Sequence, residues 1–384
     1  MESNPHLIGQ IIVGLALASA VPAGELQVDA PFDLDGRQAT LTKLDSLPYV
    51  EDEYTARFTF DSATNPKLKR LRERYQLDEV VAPGTDEFDR QIHLMDWTHH
   101  QFDRFGQPSA EARGALEILE EVEGGHRFFC SQYAQVLVSA AASLGWVDRP
   151  LALRRHQGAN KVGGSTEHAV TEIWSNQFRK WVMLDPTSNM FVEIDGVPLN
   201  AWEIRKEWFY NGGKRLDFVI GNERARYRKA DLPIFLRSFE GFGDLTVEPD
   251  EIDKYGFIGY IPNTDLMDSG FDYGGMFIVK DALCDGTQWH TRKVPDDPAA
   301  DPYFPIGQAA VSLRIDGGHL MVDLRTLTPN FARFEIRTDG DGWVHSTGTF
   351  RWALSPGTNR MEARAVNAFG VAGSASTAEV RAEQ

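Results

Sequence analysis

Between residues 130 and 187 the hydrophobic pattern changes its period once, and that change constrains the fold more than any other feature of the chain. After Cys130, the residues Tyr133, Val136, Leu137, Ala140 and Leu144 recur at spacings of three and four, which is the stripe of a helix with one buried face. Alanines at 134, 140, 141 and 142 keep that helix slim enough to lie close on a sheet, and Gly145 stops it. Residues 151–155 predict a short strand. Residues 167–174 then form an alternating strand, and with 180–184 they predict a hairpin turned around 175–179. A helix followed by such a pair is satisfied by one arrangement, helix laid on sheet.

The hairpin also fixes which side chains meet. With Trp174 opposite Trp181, Val170 faces Asp185 and His168 lies one diagonal away on the same face. Same-face diagonal neighbours stand roughly 7–8 Å apart at the backbone, within reach of a histidine and an aspartate pointing toward each other. A slip of one residue would put them on opposite faces.

A chain of 384 residues is long for one domain and predicts two or three units. The first, residues 24–217, holds the stretch above. Within it, 54–60 alternates and predicts a strand anchored by Tyr54, Phe58 and Phe60. Asn65-Pro66 opens a helix to about Tyr75, with Leu68 and Leu71 inward. A second helix starts at Thr85-Asp86-Glu87 and carries Phe88, Ile92, Leu94 and Trp97; a third opens at Ser109 and carries Ala112, Ala115, Leu116 and Leu119. Residues 218–304 form an irregular, aromatic-rich connecting region, part of which should wrap the first unit. Residues 305–384 hold six short alternating runs separated by turns such as Asp316-Gly-Gly and Asp339-Gly-Asp-Gly, which predicts an immunoglobulin-like or fibronectin-like β-sandwich.

Charge and cysteine content narrow the partners. A net charge of -17 opposes binding to phosphate backbones, so no nucleic-acid partner is expected. Two cysteines, Cys130 and Cys284, make no disulfide framework and are expected as free thiols. No Cys-x-x-Cys and no His-x-x-x-His occurs, so neither a metal nor another cofactor is expected. Residues 7–21 are nearly all apolar, and Ala18-Ser19-Ala20 before Pro22 suits a signal-peptidase site, giving a cleaved leader over 1–23. Glu2 and the lack of Lys or Arg ahead of that run are unlike a signal, and leave an uncleaved leader as the alternative. The expectation is export to the periplasm or beyond the cell, with the cytoplasm as the alternative. No later segment predicts a transmembrane span.

Cys130, His168 and Asp185 are the catalytic candidates. A cysteine attacks as its thiolate, and a helix amino end with a neighbouring imidazole favours that anion. His168 would take the proton and pass it to a leaving amine, while Asp185 would accept from the other ring nitrogen and fix the tautomer. Taken singly, a buried thiol, a cross-strand polar residue and a turn acid explain these three as well. The oxyanion candidates are the Cys130 backbone N–H with either Trp97 or Gln101. Gly163, Gly164 and Glu167 are candidates for the rim of the site, and His126 belongs to the loop before Cys130.

The pieces in order are Cys130-Ser-Gln-Tyr-Ala134, Leu144-Gly145, Arg149 with Leu151, Glu167-His168-Ala169-Val170, Glu172-Ile-Trp174 and Trp181-Val-Met-Leu-Asp185-Pro-Thr187. This set resembles the transglutaminase-like superfamily, a papain-related group, and among its members the bacterial type with a C-terminal β-sandwich. The resemblance covers about a sixth of the chain, and Phe128 and Phe129 stand where many members carry smaller residues. It implies an α+β core with an antiparallel sheet against the cysteine helix, and the triad roles given above for Cys130, His168 and Asp185. It further implies acyl transfer on a peptide or peptide-like amide through a thioester. Hydrolysis is the expected outcome, on a peptide or protein substrate with cell-envelope peptides among the candidates. Protein cross-linking is one alternative. A non-catalytic module binding carbohydrate or protein through the C-terminal sandwich, with Trp343 and Trp352 as contacts, is another. Asp339-Gly-Asp-Gly342 reads as a hairpin turn and not as a calcium site.

Overall fold

Five antiparallel strands form the sheet that carries His168. The computed structural model describes residues 24–106, 114–155, 167–239, 241–278 and 301–384. Across the sheet the strands run Phe277–Ile278, Phe257–Tyr260, Asp148–Arg154, Glu167–Ser175 and Lys180–Leu184. Trp174 pairs with Trp181 and Thr171 with Leu184, the register that sets His168 one diagonal from Asp185.

The pleat sorts the strand residues onto two faces. Ile173, Val182 and Leu184 share a core with Val136, Leu137, Ala140 and Ala141 of the helix Cys130–Ser143. Val170, Trp174, Trp181 and Met183 face the other way and pack with Ile204, Trp208 and Phe304. Each large apolar side chain buried in this way contributes about 1.5–3 kcal/mol. The sheet is therefore buried on both sides, and strand Lys180–Leu184 reads as an apolar run for that reason.

A charge pair stands within the sheet. Arg149 and Glu172 are directly opposite, and both side chains are fully buried. Glu172 Oε2 accepts from Arg149 Nε at 3.1 Å and Nη2 at 2.7 Å, and the guanidinium also donates to the Pro302 carbonyl and lies 4.1 Å over Trp181. Glu172 Oε1 accepts the Ala201 N–H at 2.8 Å and the Tyr303 hydroxyl at 2.9 Å. Such a pair survives burial only because its hydrogen bonds are met. It ties the helix Ala201–Asn211 and the segment around Tyr303 to the sheet.

Two expectations are corrected. Residues 54–60 are not one strand: Thr55–Arg57 is a 3-10 turn, and only Thr59–Phe60 pairs, in parallel with Asn263–Thr264. Asp52 Oδ1 accepts the N–H of Tyr54 and of Thr55, both at 2.8 Å, and such local bonds compete with a strand ladder. Tyr54 and Phe58 are still buried, so the anchors hold without the strand. The second correction concerns the chain's beginning. Strands Pro31–Leu34 and Arg37–Asp45 belong to a six-stranded sheet in which Arg37–Asp45 pairs with Ser376–Ala382. That sheet shares a core with a three-stranded one, Leu41, Met361 and Val380 meeting Leu313, Val322 and Trp352. Residues 31–45 thus pack with the final 80 or so residues and not with the unit to which their position assigns them.

Trp352 is core, and Trp343 lies against the guanidiniums of Arg337 (4.7 Å) and Arg364 (4.1 Å). They do not form a side-by-side aromatic face. Helix Pro66–Arg74 begins on the Asn65 cap as its sequence predicts, while Ser109, Ala112 and the leader 1–23 lie outside the described residues. Among the described residues no helix is long and apolar enough to cross a membrane.

Candidate active site

Cys130 is the first residue of its helix. The extended residue before it, Phe129, gives its N–H to Gln132 Oε1 at 3.2 Å and its carbonyl to the Gln132 N–H at 3.0 Å, which closes the amino end. Phe128 is buried against Phe102 and fixes the chain's entry, whereas Phe129 remains exposed. The thiol is free and partly exposed, at the positive end of the helix dipole. Cys284 lies outside the described residues.

His168 sits near the start of strand Glu167–Ser175. Its Nε2 is 2.9 Å from Asp185 Oδ2, and Cys130 lies close enough to help raise the ring's proton affinity. Burial alone would push the imidazole down. The Asp185 charge and hydrogen bond, helped by the thiol, outweigh it and hold the ring up to about 10. Asp185 is pulled the other way. Its burial raises it, but His168 and Ser188 lower it further, to below the ordinary carboxylate range.

The turn after Asp185 is built to hold that carboxylate. Asp185 Oδ1 accepts the N–H groups of Thr187 and Ser188, both at 3.0 Å, and Asp185 exchanges backbone hydrogen bonds with Met190. Behind the turn, His99 Nδ1 donates to the carbonyls of Pro186 (3.2 Å) and Thr187 (3.0 Å). Burial, followed by the charges of His100 and Arg237, holds His99 down to about 4, so it is neutral at pH 7 and supports the turn as a single donor. Sequence reasoning missed His99. Its position on the inner face of the helix Glu87–His100 was the available signal.

Neither proposed side-chain oxyanion donor reaches the site. Trp97 packs edge-on to Tyr75 at 5.8 Å, and Gln101 Nε2 is bonded to the Trp97 carbonyl at 3.1 Å. Both are spent within their own helix layer, and neither lines the cavity beside Cys130. Tyr273 does line it. Its ring stands 37 % exposed in the cavity wall. A neutral phenol there is a hydrogen-bond donor at any working pH. His126 bonds the Glu121 carbonyl and closes the preceding helix. Glu167 is exposed on the cavity wall, and Gly163 and Gly164 lie outside the described residues.

The cavity has a volume of about 690 Å³ and is lined by Cys130 and His168 from the core. Its far wall is the hairpin of Ile234–Phe239 and Gly243–Val247 with the short helix Pro249–Asp253 behind it. This is the region whose sequence was hardest to read. Gly241-Phe-Gly243 between two alternating runs was the hairpin signal. Among the described residues no group of three or more His, Cys, Asp or Glu is placed to hold a metal ion.

No family model matches the sequence, and no curated protein matches it. Among solved structures the chain is similar to a red sea bream transglutaminase at 11 % identity and a TM-score of 0.24, over 77 % of this chain and 68 % of that one. A likeness at that level fixes neither fold nor activity here.

Proposed function

We propose that this chain is a transglutaminase-like enzyme that transfers an acyl group from a peptide or peptide-like amide through a thioester on Cys130, with water as the usual acceptor. The observation that carries it is a buried His168–Asp185 bond of 2.9 Å whose imidazole also meets a thiol at a helix amino end, on the wall of an open cavity.

The cycle balances on these groups. His168, protonated at neutral pH by its raised proton affinity, pairs with the Cys130 thiolate, and sulfur attacks the amide carbonyl carbon. The Cys130 N–H, with the Tyr273 hydroxyl as the candidate second donor in place of Trp97 and Gln101, faces the developing oxyanion. His168, whose affinity for its proton extends to about pH 10, keeps that proton until the amide nitrogen receives it and the C–N bond breaks. Water then attacks the thioester, gives its proton to His168, and the S–C bond breaks to release the carboxylic acid and restore the thiolate beside the protonated imidazole. An amine in place of water would make a new amide, which is the cross-linking alternative.

In this reading residues 24–217, less the strands at 31–45, form the catalytic unit with the cavity hairpin, and the two sheets at 305–384, joined by residues 31–45, form a β-sandwich. A sandwich that binds ligands through Trp343 and Trp352 is disfavoured by the burial of Trp352 and by the contacts of the Trp343 ring with two arginines. The test is mass spectrometry of a mixed peptide pool incubated with the protein, with and without a primary amine. New termini or deamidated glutamines are expected. Amine adducts in place of new termini would establish transfer, and an unchanged pool with folded protein would reject the enzyme reading.

A further inference from the structure

The cavity beside Cys130 differs from one end to the other. On the cysteine side, Phe105 packs against Phe129 at 5.6 Å and Phe242 at 4.7 Å. Phe129 and Phe242 nevertheless remain 38 % and 50 % exposed, leaving an aromatic shelf open to whatever enters. On the imidazole side the walls are acidic. Glu167 precedes His168, and Arg154, its partner across the sheet, is also the partner of Phe257. The chain that leads into Phe257 therefore lies at this end, and it brings Glu248 and Glu251 to the cavity.

The charges there do not cancel. Lys254 is buried and pairs with Glu251 at 2.5 Å, which neutralises one acid. Asp244 and Glu248 accept hydrogen bonds from Ser238 and Thr246 and have no ion-pair partner among the described residues. The strand Gly243–Val247 carries the wall from Phe242 at the aromatic end to Glu248 at the acidic end, a span of roughly 20 Å. Arg237, a nearby cation, lies 4.4 Å over Phe239, which packs against Phe105 at 5.8 Å at the aromatic end. Thr187 also lines the cavity. It is 2 % exposed, and its hydroxyl has no hydrogen-bond partner among the described residues, a group that a bound amide backbone would satisfy.

The chemistry assigns the two ends. His168 has to reach the leaving nitrogen, so the amine half of the substrate lies on the imidazole side and the acyl half on the cysteine side. Resting on the acyl-transfer reading above, we infer that the site takes an amide with an apolar or aromatic residue on its acyl side and a cationic group on its amine side, as in a peptide bond followed by Lys or Arg. Phe129 and Phe242 select the first half; Glu248 selects the second.

Quenched fluorescent peptides with Phe or Ser on the acyl side and Lys, Ala or Glu on the amine side test this with the full chain. The Phe–Lys peptide is expected to have the highest kcat/KM, with Phe–Glu about tenfold lower at low salt and the gap narrowing as salt is added. Glu248→Lys is expected to reverse the Lys-over-Glu order, and Phe242→Ala to reduce the Phe-over-Ser ratio. Equal rates for Lys, Ala and Glu peptides overturn the inference and leave acyl transfer standing. Inert peptides with Cys130 still alkylated faster than in His168→Ala likewise overturn the inference alone. Inert peptides with Cys130 alkylated no faster than in His168→Ala overturn both.

Discussion

The fold moves the protonation of His168 and Asp185 in opposite directions. The pair contributes to stability in a definite pH window. His168 is raised, so its contribution is complete below its ordinary value of 6.5 and is lost as pH climbs through about 10. Asp185 is lowered, so its contribution is present above its ordinary value of 3.8 and is lost as pH falls through its depressed value. In Asp185→Asn, burial is left as the dominant influence on the ring. An NMR titration of the histidine nitrogens should show His168 losing its proton several pH units lower than in the parent, and the alkaline decline in the urea midpoint should flatten. An unmoved titration would mean that the aspartate does not hold the ring. At this scale the sequence was legible where geometry follows from strand parity, as for His168 and Asp185. It was not legible for Trp97, Gln101 and Tyr273, because which side chain reaches a cavity depends on packing between segments far apart in the chain.

The cysteine helix shows how local rules and tertiary contacts share the work at the scale of an element. Its stripe and its stop at Gly145 are both readable from residue spacing, since a glycine at φ +81° ends a helix without the strain a side chain would bring. The sequence could not show what Gly145 touches. A Cβ there would stand 2.6 Å from Phe369 Cβ and 3.0 Å from Val371 Cγ2, and the Gly145 carbonyl accepts from Asn367 Nδ2 at 2.7 Å. Gly145→Ala should therefore destabilise the protein by about 1–3 kcal/mol, through backbone strain and overpacking together. Thermal unfolding would measure it, and an unchanged midpoint would show that the seam yields without cost. Residues 54–60 illustrate the opposite case. Their alternation was real, but the Asp52 carboxylate captured the N–H groups a strand would have needed.

At the scale of the whole molecule, sequence order and spatial order part company. The strands Pro31–Leu34 and Arg37–Asp45 complete a sheet whose other members begin after residue 330, and Leu41 is fully buried in that core. Nothing in a local pattern reports a partner more than 300 residues away, which is why composition placed this segment with its neighbours in the chain. Replacing Leu41 with Ala should cost about 2–5 kcal/mol, because a buried leucine leaves a cavity at a junction between first and last strands. Chemical denaturation would show whether that loss spreads to the His168 sheet. A single shifted transition is expected if Gly145, Asn367 and Phe369 couple the two regions; two separate transitions would show that they unfold independently.

The nucleophile itself is the most direct thing to measure. Alkylation of the folded chain with a small neutral electrophile, followed by peptide mapping at pH 7, reports the rate at Cys130. The expected result is rapid labelling that falls at least tenfold in His168→Ala with the fold intact, as loss of an activating base requires. Equal rates at Cys130 in the two proteins would contradict the thiol–imidazole unit on which the proposed chemistry depends.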